Sequence, residues 1–360
     1  MPWIDVLDGG MLTTVQDTGR AGSQRYGVPV SGAMDGFALR AANRLVGNAA
    51  GAAGLEMTLT GPELRFESTA IVAITGADLA PQIDGEPVAN WRTLRVRAGS
   101  VLSFAGVRDG LRAYLAVAGG IDVPIVLGSR STYTRSGLGG FDGRALRTGD
   151  RVPVGENQSG LSPKMFAMPA HEVPRYGHAC TVRVILGPQD DAFSDDGRGT
   201  FLDASYTLTT QSDRIGCRFQ GPPIRHHAGA DIVSDGTVFG AIQVSGDGMP
   251  IVLMADRGTT GGYTKIATVI TADLTKIAQA IPGDRVRFTA VDLEAAHTLF
   301  DQQESWLDAI DPGEAGHVEE AVFEEDSGAP LAAGGYQSLA DALADRHGDG
   351  SRDRDARSKP

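Results

Sequence analysis

The sequence has few cysteines and no long apolar run, and these two absences already exclude several classes of protein. Cys180 and Cys217 are its only cysteines, so a disulfide framework is excluded and a structural zinc site would need other ligands. No stretch approaches the roughly 18 consecutive apolar residues that a membrane-spanning helix requires. The N-terminal residues show neither a basic nor an apolar stretch, so no signal peptide is predicted. We therefore expect a protein of the reducing cytoplasm.

The chain is also poor in positive charge. Its 32 lysines and arginines face 45 aspartates and glutamates, for a formal net charge of −13. Binding to nucleic acid or to an anionic membrane depends on clustered Lys and Arg, so neither partner is expected. The imbalance is uneven, because residues 311–360 hold 12 acidic and 5 basic residues. This segment has few large apolar side chains, and we predict a disordered acidic tail.

Common catalytic and nucleotide-binding motifs are absent as well. The sequence has no G-x-x-x-x-G-K-[ST], no G-x-S-x-G and no H-E-x-x-H, which argues against a P-loop, a nucleophile elbow and a zincin site. His226 and His227 are adjacent and would point to opposite faces of a strand, so no metal site is predicted. Lys164 lies in PKMF rather than in the A-M-K-M of biotin carriers, so no biotin attachment site is predicted in this chain.

Glycine, in contrast, is abundant, and its distribution indicates a mainly β protein. The 48 glycines are about twice the usual share, and they separate short runs rich in apolar and β-branched residues. Regular alternation of strand and turn is typical of a barrel or a sandwich. The predicted strands are 71–76, 93–99, 101–106, 111–120, 181–187, 241–246, 250–256 and 284–291.

A few helices are predicted from apolar spacing and capping residues. The first covers 35–46 and begins at Asp35, and the second covers 273–281 and begins at Asp273. The third covers 292–310 and is expected to close the folded part of the chain. Its apolar stripe consists of Leu293, Ala296, Leu299, Phe300, Leu307 and Ile310.

Two domains that arose by internal duplication are expected. Two segments echo each other, TTVQDTGR from Thr13 and TTQSDRIGCR from Thr209, at an offset of about 196 residues. A stretch with several Pro, Gly and Ser residues and weak periodicity separates the two sets of strands, as a linker does. The predicted boundaries are 1–155 for the first domain, 156–177 for the linker, 178–310 for the second domain with its closing helix, and 311–360 for the tail.

Three Gly-rich polar clusters are the candidates for chemistry, and the densest lies near the N-terminus. It contains Gln16, Asp17, Arg20 and Ser31. Its glycines let the backbone approach a ligand, and the N–H groups before the first helix can hold a carboxylate or phosphate. The alternative is structural: Asp17 and Arg20 pair to hold the loop, and Ser31 or Asp35 only caps the helix.

The other two clusters surround Arg130 with Tyr133, and Tyr263 with Lys265. The planar fork of arginine suits carboxylate and phosphate recognition because it binds two oxygens at once. The Gly pair beside Tyr263 allows a tight turn. Solvated loop charge and a turn with exposed polar ends remain the alternatives for these clusters.

Several strings within and around these clusters point to one family. They include TTVQDTGR, GVPVSGAMD, YLAVAGGIDVP, VLGSRSTY, SDRIGCR and PIVLMADRGTTGGYTKIATVI, and they run in order from about residue 9 to 290. The chain resembles the family that comprises KipA, subunit 2 of allophanate-hydrolase-type proteins and the C subunit of bacterial ATP-dependent 5-oxoprolinase. The carboxyltransferase half of urea carboxylase is similar too.

The resemblance implies a fold, a reaction and partners. The fold is two tandem cyclophilin-like β-barrel domains. The partner is the KipI-like subunit one, which is the B subunit in 5-oxoprolinase, where a third, A subunit joins the pair. The complex converts 5-oxo-L-proline, ATP and water to L-glutamate, ADP and phosphate, so ATP with Mg is the expected cofactor and this chain is not expected to act alone. Two alternatives stay open: a carboxyltransferase component of a biotin-dependent urea carboxylase or allophanate-type system, and a KipA-like antagonist of a KipI-type kinase inhibitor.

Carried onto this chain, the resemblance implies catalytic roles for Asp17, Arg20 and Lys265. Arg20, Arg130 and Lys265 would meet anionic oxygens, while Asp17 and Asp213 would orient arginines or a metal-bound nucleotide. The implied substrate- or nucleotide-binding residues are Gln16, Ser31, Gly32, Met34, Arg130, Tyr133, Asp213, Arg214 and Tyr263.

Overall fold

The computed structural model describes residues 2–156 and 166–310, and strands dominate both ranges. The strands of the first half are β1 (Trp3–Asp8), β2 (Leu12–Gln16), β3 (Gly54–Thr58), β4 (Glu63–Phe66), β5 (Ala70–Asp78), β6 (Pro81–Ile83), β7 (Glu86–Pro87), β8 (Arg92–Val96), β9 (Val101–Phe104), β10 (Asp109–Val117) and β11 (Arg151–Pro153). Those of the second half are β12 (Ala179–Leu186), β13 (Ser205–Leu208), β14 (Gly216–Gln220), β15 (Asp231–Gly236), β16 (Ala241–Val244), β17 (Pro250–Leu253), β18 (Thr260–Tyr263), β19 (Lys265–Val269) and β20 (Arg285–Ala290). The α-helices are α1 (Gly36–Leu45), α2 (Asp195–Asp203), α3 (Leu274–Gln279) and α4 (Leu293–Asp308), and short 3-10 helices cover Gln24–Tyr26, Thr134–Ser136, Asp190–Ala192 and Thr271–Asp273.

Two sheets enclose one apolar core in the first half. Their strand orders are β11-β1-β4-β9-β6-β7 and β2-β3-β10-β5-β8. The apolar residues of strand β10 divide between two clusters. Ala113, Leu115 and Val117 belong to the core between the sheets, while Tyr114 and Ala116 belong to the cluster with α1. Because successive side chains of a strand point to opposite faces, both faces of β10 are buried.

A closed barrel forms the second half, in the order β12-β19-β16-β17-β14-β13-β20. Strands β12 and β20 close it as a parallel pair, with Val182 opposite Phe288. Aromatic rings pack inside: Phe201 stacks on Phe288 with ring centroids 4.8 Å apart, and Phe219 meets Phe288 edge-on at 6.1 Å. Strands β15 and β18 form a separate two-stranded ribbon.

The predicted mainly-β fold with few helices is confirmed, and each predicted strand run coincides with a strand of the structure. The closed barrel lies in the second half, whereas the core of the first half lies between two separate sheets. The internal duplication and the domain boundaries stay predictions. Residues 157–165 of the predicted linker and the predicted 311–360 tail lie outside the described residues.

The described end of the predicted linker is packed against the first half. The backbone N–H of Thr93 donates to the carbonyl of Phe166 at 2.8 Å, and that of Met168 donates to the carbonyl of Trp91 at 3.0 Å. Phe166 and Met168 also pack on the apolar cluster beneath α1. This part of the segment therefore extends the surface of the first half.

The first predicted helix is confirmed, and the cap of the second needs a correction. Helix α1 follows Asp35, whose carboxylate accepts a hydrogen bond from the Ala38 N–H at 3.0 Å. Asp273 precedes α3 without capping it by its side chain. Its carboxylate accepts instead from the backbone N–H of Arg183 at 2.7 Å and from the Arg183 guanidinium at 2.6 Å. The bond to the guanidinium joins two opposite charges, whereas an aspartate N-cap bond to a backbone N–H has only one charged partner.

The closing helix α4 crosses back to the first half, and its only large buried side chain, Leu307, lies near its C-terminal end. Leu293 is 58% exposed and Phe300 is 37% exposed, so the predicted apolar stripe is wrong at these positions. Leu307 is fully buried in the cluster beneath α1, and Trp306 contacts Phe37 with ring centroids 4.9 Å apart. No helix in the described ranges has the length and apolar character needed to cross a membrane.

The segment before α1 inserts a side chain into the other half of the protein. Met34 has no exposed surface and packs among barrel residues such as Val252 and Met254. The sequence placed Met34 in the wall of a ligand pocket, and the structure corrects this to a core position. Met34 follows the polar cluster in sequence, but its side chain packs in the barrel core and so connects the two halves.

We expect Met34→Ala to lower the free energy of unfolding by about 2–5 kcal/mol, because it leaves a cavity in the barrel core. Met34→Leu keeps the volume and is expected to cost less than about 1.5 kcal/mol. Urea denaturation followed by circular dichroism measures both. Equal stability of the two variants would contradict the core assignment.

Candidate functional site

The carboxylate of Asp17 joins the first two polar clusters. It accepts hydrogen bonds from the Gly19 N–H at 2.7 Å, the Ser129 hydroxyl at 2.6 Å, the Arg130 N–H at 2.6 Å and the Ser131 hydroxyl at 2.5 Å. Four donors occupy most of the acceptor capacity of a carboxylate. Asp17 therefore positions the loop that follows β2 against the 129–131 loop, and its catalytic role stays a prediction.

Arg20 is fully buried beside this junction and keeps unused donors. Its Nη2 donates to the carbonyl of Ser131, whereas Nε and Nη1 are buried with no hydrogen-bond partner among the described residues. Burial lowers the pKa of Arg20, and Asp17 and Asp256 oppose that shift. Buried donors without partners are rare, and each one calls for a water, an ion or a ligand as its explanation. Arg20 and Asp17 do not hydrogen-bond each other, so the predicted alternative of a direct pair is wrong.

Ser31 and Gly32 carry the chain from Arg20 to the second half. Ser31 has φ +55°, in the left-handed region that non-glycine residues rarely adopt. Its N–H donates to the carbonyl of Ala255 at 3.1 Å, and its hydroxyl is buried without a partner in the described structure. At Gly32 (φ +87°) a Cβ atom would lie 2.9 Å from the backbone nitrogen of Gly19, so only glycine fits. The left-handed conformations of Ser31 and Gly32 therefore set the course of the backbone between Arg20 and the second half.

Arg214 lies at the centre of a buried ion network between the halves. Its Nε donates to Asp256 Oδ2 at 2.9 Å, its Nη2 donates to the carbonyl of Gly32 at 2.6 Å, and its Nη1 donates to Glu56. Burial alone would lower the pKa of Arg214, but Asp256 and Glu56 together raise it above its ordinary value. The guanidinium is thus permanently charged, and it is used to hold the two halves together.

Glu56 extends this network to the start of α1. Its Oε2 accepts from the Met34 N–H at 2.8 Å and from the Tyr114 hydroxyl at 2.8 Å. Burial, with the charges of Glu56 and Asp35, raises the pKa of Tyr114 well above its ordinary value. Asp35 in turn accepts from Gln279 Nε2 at 2.8 Å, which ties α1 to the end of α3. Because the network is buried, each of its members supplies a hydrogen-bond partner that another member needs.

Arg257 is a candidate that the sequence analysis missed. It is 7% exposed, its Nε is buried without a partner in the described residues, and its guanidinium lies 5.6 Å from the ring centroid of Phe239. Burial lowers the pKa of Arg257, and the neighbouring Asp256 opposes that shift. Arg257 is the second residue of the DRGTTGG string, which belongs to the Gly-rich cluster around Tyr263 and Lys265.

Several predicted ligand contacts already have partners in the protein. Arg130 donates to Asp122 at 2.8 Å and to the carbonyl of Val123 at 2.8 Å, so its fork is used within its own loop. Gln16 is buried, and its Nε2 donates to the carbonyl of Thr132 at 3.2 Å. Its Oε1 has no partner among the described residues. Tyr133, half-buried, ends the same loop in an isolated bridge with Leu138.

The third cluster lies on the barrel and the ribbon. Lys265 is 3% exposed, and its Nζ donates to Asp235 Oδ2 at 2.8 Å, which lowers the pKa of Asp235. Tyr263 lies on β18 and is 39% exposed. The carboxylate of Asp213 accepts a hydrogen bond from the Ile215 N–H at 2.7 Å. Asp17 accepts from the Gly19 N–H in the same way, two residues along the chain. No hydrogen bond joins Lys265 or Tyr263 to Arg20 or Arg214 in the described parts of the chain.

The structure thus brings together Gln16, Asp17, Arg20, Ser31, Gly32 and Arg214, along with the unpredicted Glu56, Asp256 and Arg257. The three arginines of this group, Arg20, Arg214 and Arg257, are matched by three buried carboxylates, those of Asp17, Glu56 and Asp256. Arg20 and Arg257 nevertheless keep buried donors without a partner in the described residues, and such donors are suited to an anionic ligand. We treat this group, called here the interhalf cluster, as the candidate site.

We expect Arg214→Gln to lower the free energy of unfolding by about 3–5 kcal/mol, because Glu56 and Asp256 stay buried without their counter-ion. Urea denaturation at pH 7 measures the loss. Arg218→Gln, an exposed arginine four residues away, is the control, and a similar loss in both variants would contradict the prediction.

Comparison with known proteins supports the resemblance noted in the motifs. The carboxyltransferase domain family, subdomains A and B, matches residues 26–290. The chain is 39% identical to the C subunit of 5-oxoprolinase from Escherichia coli over 308 residues, which cover 85% of this chain and 97% of that protein. It is 38% identical to the C subunit of 5-oxoprolinase from Haemophilus influenzae over 313 residues, with the same shares covered.

A solved structure has the same fold. The crystal structure of the K. lactis urea amidolyase aligns with a TM-score of 0.80 at 32% identity, covering 87% of this chain and 20% of that one. The motifs, the sequence relatives and this fold agree, and the chain therefore belongs to the carboxyltransferase domain family, subdomains A and B.

Proposed function

We propose that this chain is the C subunit of an ATP-dependent 5-oxoprolinase, a complex that opens 5-oxo-L-proline to L-glutamate. The observation that carries the proposal is coverage. The alignments span 97% of both 5-oxoprolinase C subunits but only 18% of the urea amidolyase of Saccharomyces cerevisiae, a far longer protein. A chain whose alignment covers 97% of a subunit is best explained as that subunit.

The interhalf cluster suits the chemistry of such a substrate. 5-Oxoproline carries a carboxylate beside a lactam, and a lactam carbonyl is a poor electrophile until charge develops on its oxygen. Preorganised cations that face this oxygen stabilise the developing charge. Arg20 is the strongest candidate, since two of its nitrogens, Nε and Nη1, have no partner in the described protein. Arg257 is the second candidate, because its Nε is unpartnered too.

The carboxylates of the interhalf cluster already have partners within the described residues. Glu56 and Asp256 are paired with Arg214, and the Asp17 carboxylate accepts four hydrogen bonds. No group of three His, Cys, Asp or Glu side chains in the described ranges is arranged to hold a metal ion. We therefore derive no phosphoryl-transfer step on this chain. Binding of ATP with Mg stays a proposal about the assembled complex.

Apolar side chains on the loops next to the interhalf cluster support a shared site. Tyr26 is 72% exposed on the loop that follows Arg20, and Ile125 and Leu127 are 61% and 53% exposed just before Ser129. Exposed apolar side chains near polar groups are common at protein–protein contacts. We propose that the KipI-like subunit one, the B subunit of 5-oxoprolinase, docks here, with a third, A subunit in the active complex, and that the complex is cytoplasmic.

A second function has one specific observation in its favour. The family match and the K. lactis urea amidolyase fold are those of a carboxyltransferase domain. In that case the chain would work with a biotinylated carrier, because the sequence analysis finds no biotin attachment site in it. A KipA-like antagonist of a kinase inhibitor is the non-catalytic alternative and predicts tight pairing without turnover.

The direct test is glutamate formation from 5-oxo-L-proline and ATP. The chain alone, the chain with subunit one, and all three subunits are compared under identical conditions. We expect ATP-dependent glutamate only from the full mixture. Stable pairing with subunit one but no glutamate from the mixture would overturn the proposal and favour the carboxyltransferase or antagonist alternative. Equal turnover by the single chain would disprove the shared site.

Arg20→Gln in the reconstituted complex is expected to lower kcat/KM by about 100-fold or more, as loss of a charge-stabilising donor does. Arg97→Gln is the matched control, since it removes an exposed arginine of the first half outside the proposed docking loops, and it should leave kcat/KM unchanged. Circular dichroism and complex formation confirm folding of both variants. Full activity of a folded Arg20→Gln complex would remove Arg20 from the site.

A further inference from the structure

The outer wall of the barrel carries an arginine-rich groove apart from the interhalf cluster. Two cavities of about 200 Å³ and about 320 Å³ share Ala179, Cys180 and Arg285 as lining residues and so adjoin each other. We call them together the β20 groove. The polar lining residues that matter for its chemistry are Arg175, Thr181, Ser205, Lys276, Arg285 and Arg287.

Strand register brings the arginines to one place. Strand β20 runs between β12 and β13, and its side chains alternate, so Arg285 and Arg287 face outward on either side of the buried Val286. Their Cα atoms are about 7 Å apart, two residues along a strand. Arg287 lies opposite Thr181 on β12 and opposite Ser205 on β13. A pair of guanidinium groups is thus bordered by a hydroxyl on each side.

The positive charge of the groove is not neutralised by the described residues. Arg175, Arg285 and Arg287 make no ion pair within them, whereas Lys276 pairs with Asp273 at 3.1 Å. Asp284, the carboxylate of the groove, is already engaged: it lies 2.8 Å from the His178 ring and accepts from a backbone N–H at 2.7 Å. Arg285 shares one cavity with Arg175 and the other with Arg287, so three guanidinium groups without an ion pair in the described residues line the β20 groove, on a chain whose net charge is −13.

We propose that the β20 groove binds a ligand through a phosphate or diphosphate group. A single carboxylate would neutralise one of the three guanidinium groups, whereas a multiply charged oxyanion can form ion pairs with several of them at once. Arginine forks bind two oxygens of such a group, and the flanking hydroxyls supply further donors. The predicted site residues do not line either cavity. The proposal therefore stands apart from the proposed lactam chemistry.

Titration calorimetry of the full chain with inorganic pyrophosphate tests the proposal. We expect saturable, salt-sensitive binding to one site, and a loss of about 100-fold in affinity in Arg285→Gln/Arg287→Gln, about tenfold for each arginine. Arg95→Gln/Arg97→Gln is the matched control, because these exposed arginines have the same spacing in the first half and the same charge is removed. It should bind as the unchanged protein does.

Three outcomes would overturn the proposal: no binding of pyrophosphate by the unchanged protein at millimolar concentration, the same loss in both double variants, or equally tight binding of succinate. The second would mean an effect of net charge alone, and the third a general anion site. Arg287→Lys keeps the charge and removes the fork, so it serves if the double variant fails to fold. A partial loss of affinity is expected from it, and an affinity equal to that of the unchanged protein would contradict the fork-based recognition.

Discussion

One buried guanidinium, that of Arg214, holds the two halves of this protein in register. Taking it and the carboxylates of Glu56 and Asp256 out of water is costly, and the arrangement persists only because nearly every donor has a partner. Glu56 comes from a strand of the first half and Asp256 from the segment after β17 of the barrel. The ion network therefore specifies how the sheets of one half meet the barrel of the other.

The path of the 17–35 segment follows from this constraint. Its start is held by Asp17 against the 129–131 loop, its middle by the Arg214 bond to the carbonyl of Gly32, and its end by Met34 in the barrel core. With both ends fixed, the chain must pass through the left-handed conformations at Ser31 and Gly32. Arg20 is carried into the interior by this path. The surrounding structure thus holds its unpartnered donors in place. A preorganised site is one whose donors are fixed in this way before a ligand binds.

Most of the local structure was predictable, and most of the site's roles were not. The strands and α1 follow from residues that are close in sequence. Helix α2 was missed because DDGRGTFLD contains two glycines and few apolar residues, and Ser194 with barrel packing of Phe201 stabilises it instead. The motif residues of the N-terminal cluster do gather in one place. Their division into a loop clamp (Asp17), a core residue (Met34) and an unpaired cation (Arg20) could not be predicted, since it depends on partners elsewhere in the chain.

The sequence by itself determined the mainly-β class, the polar loops and the family, because periodicity, turn residues and motif strings are local properties. The tertiary structure alone decided which polar groups are already satisfied. Arg214 and Glu56 are 158 residues apart, and Arg20 and Ser131 are 111 apart. Pairings over such separations leave no spacing signal in a single chain. An arginine that stabilises the fold and one that is free for a ligand look the same until burial and hydrogen bonds distinguish them.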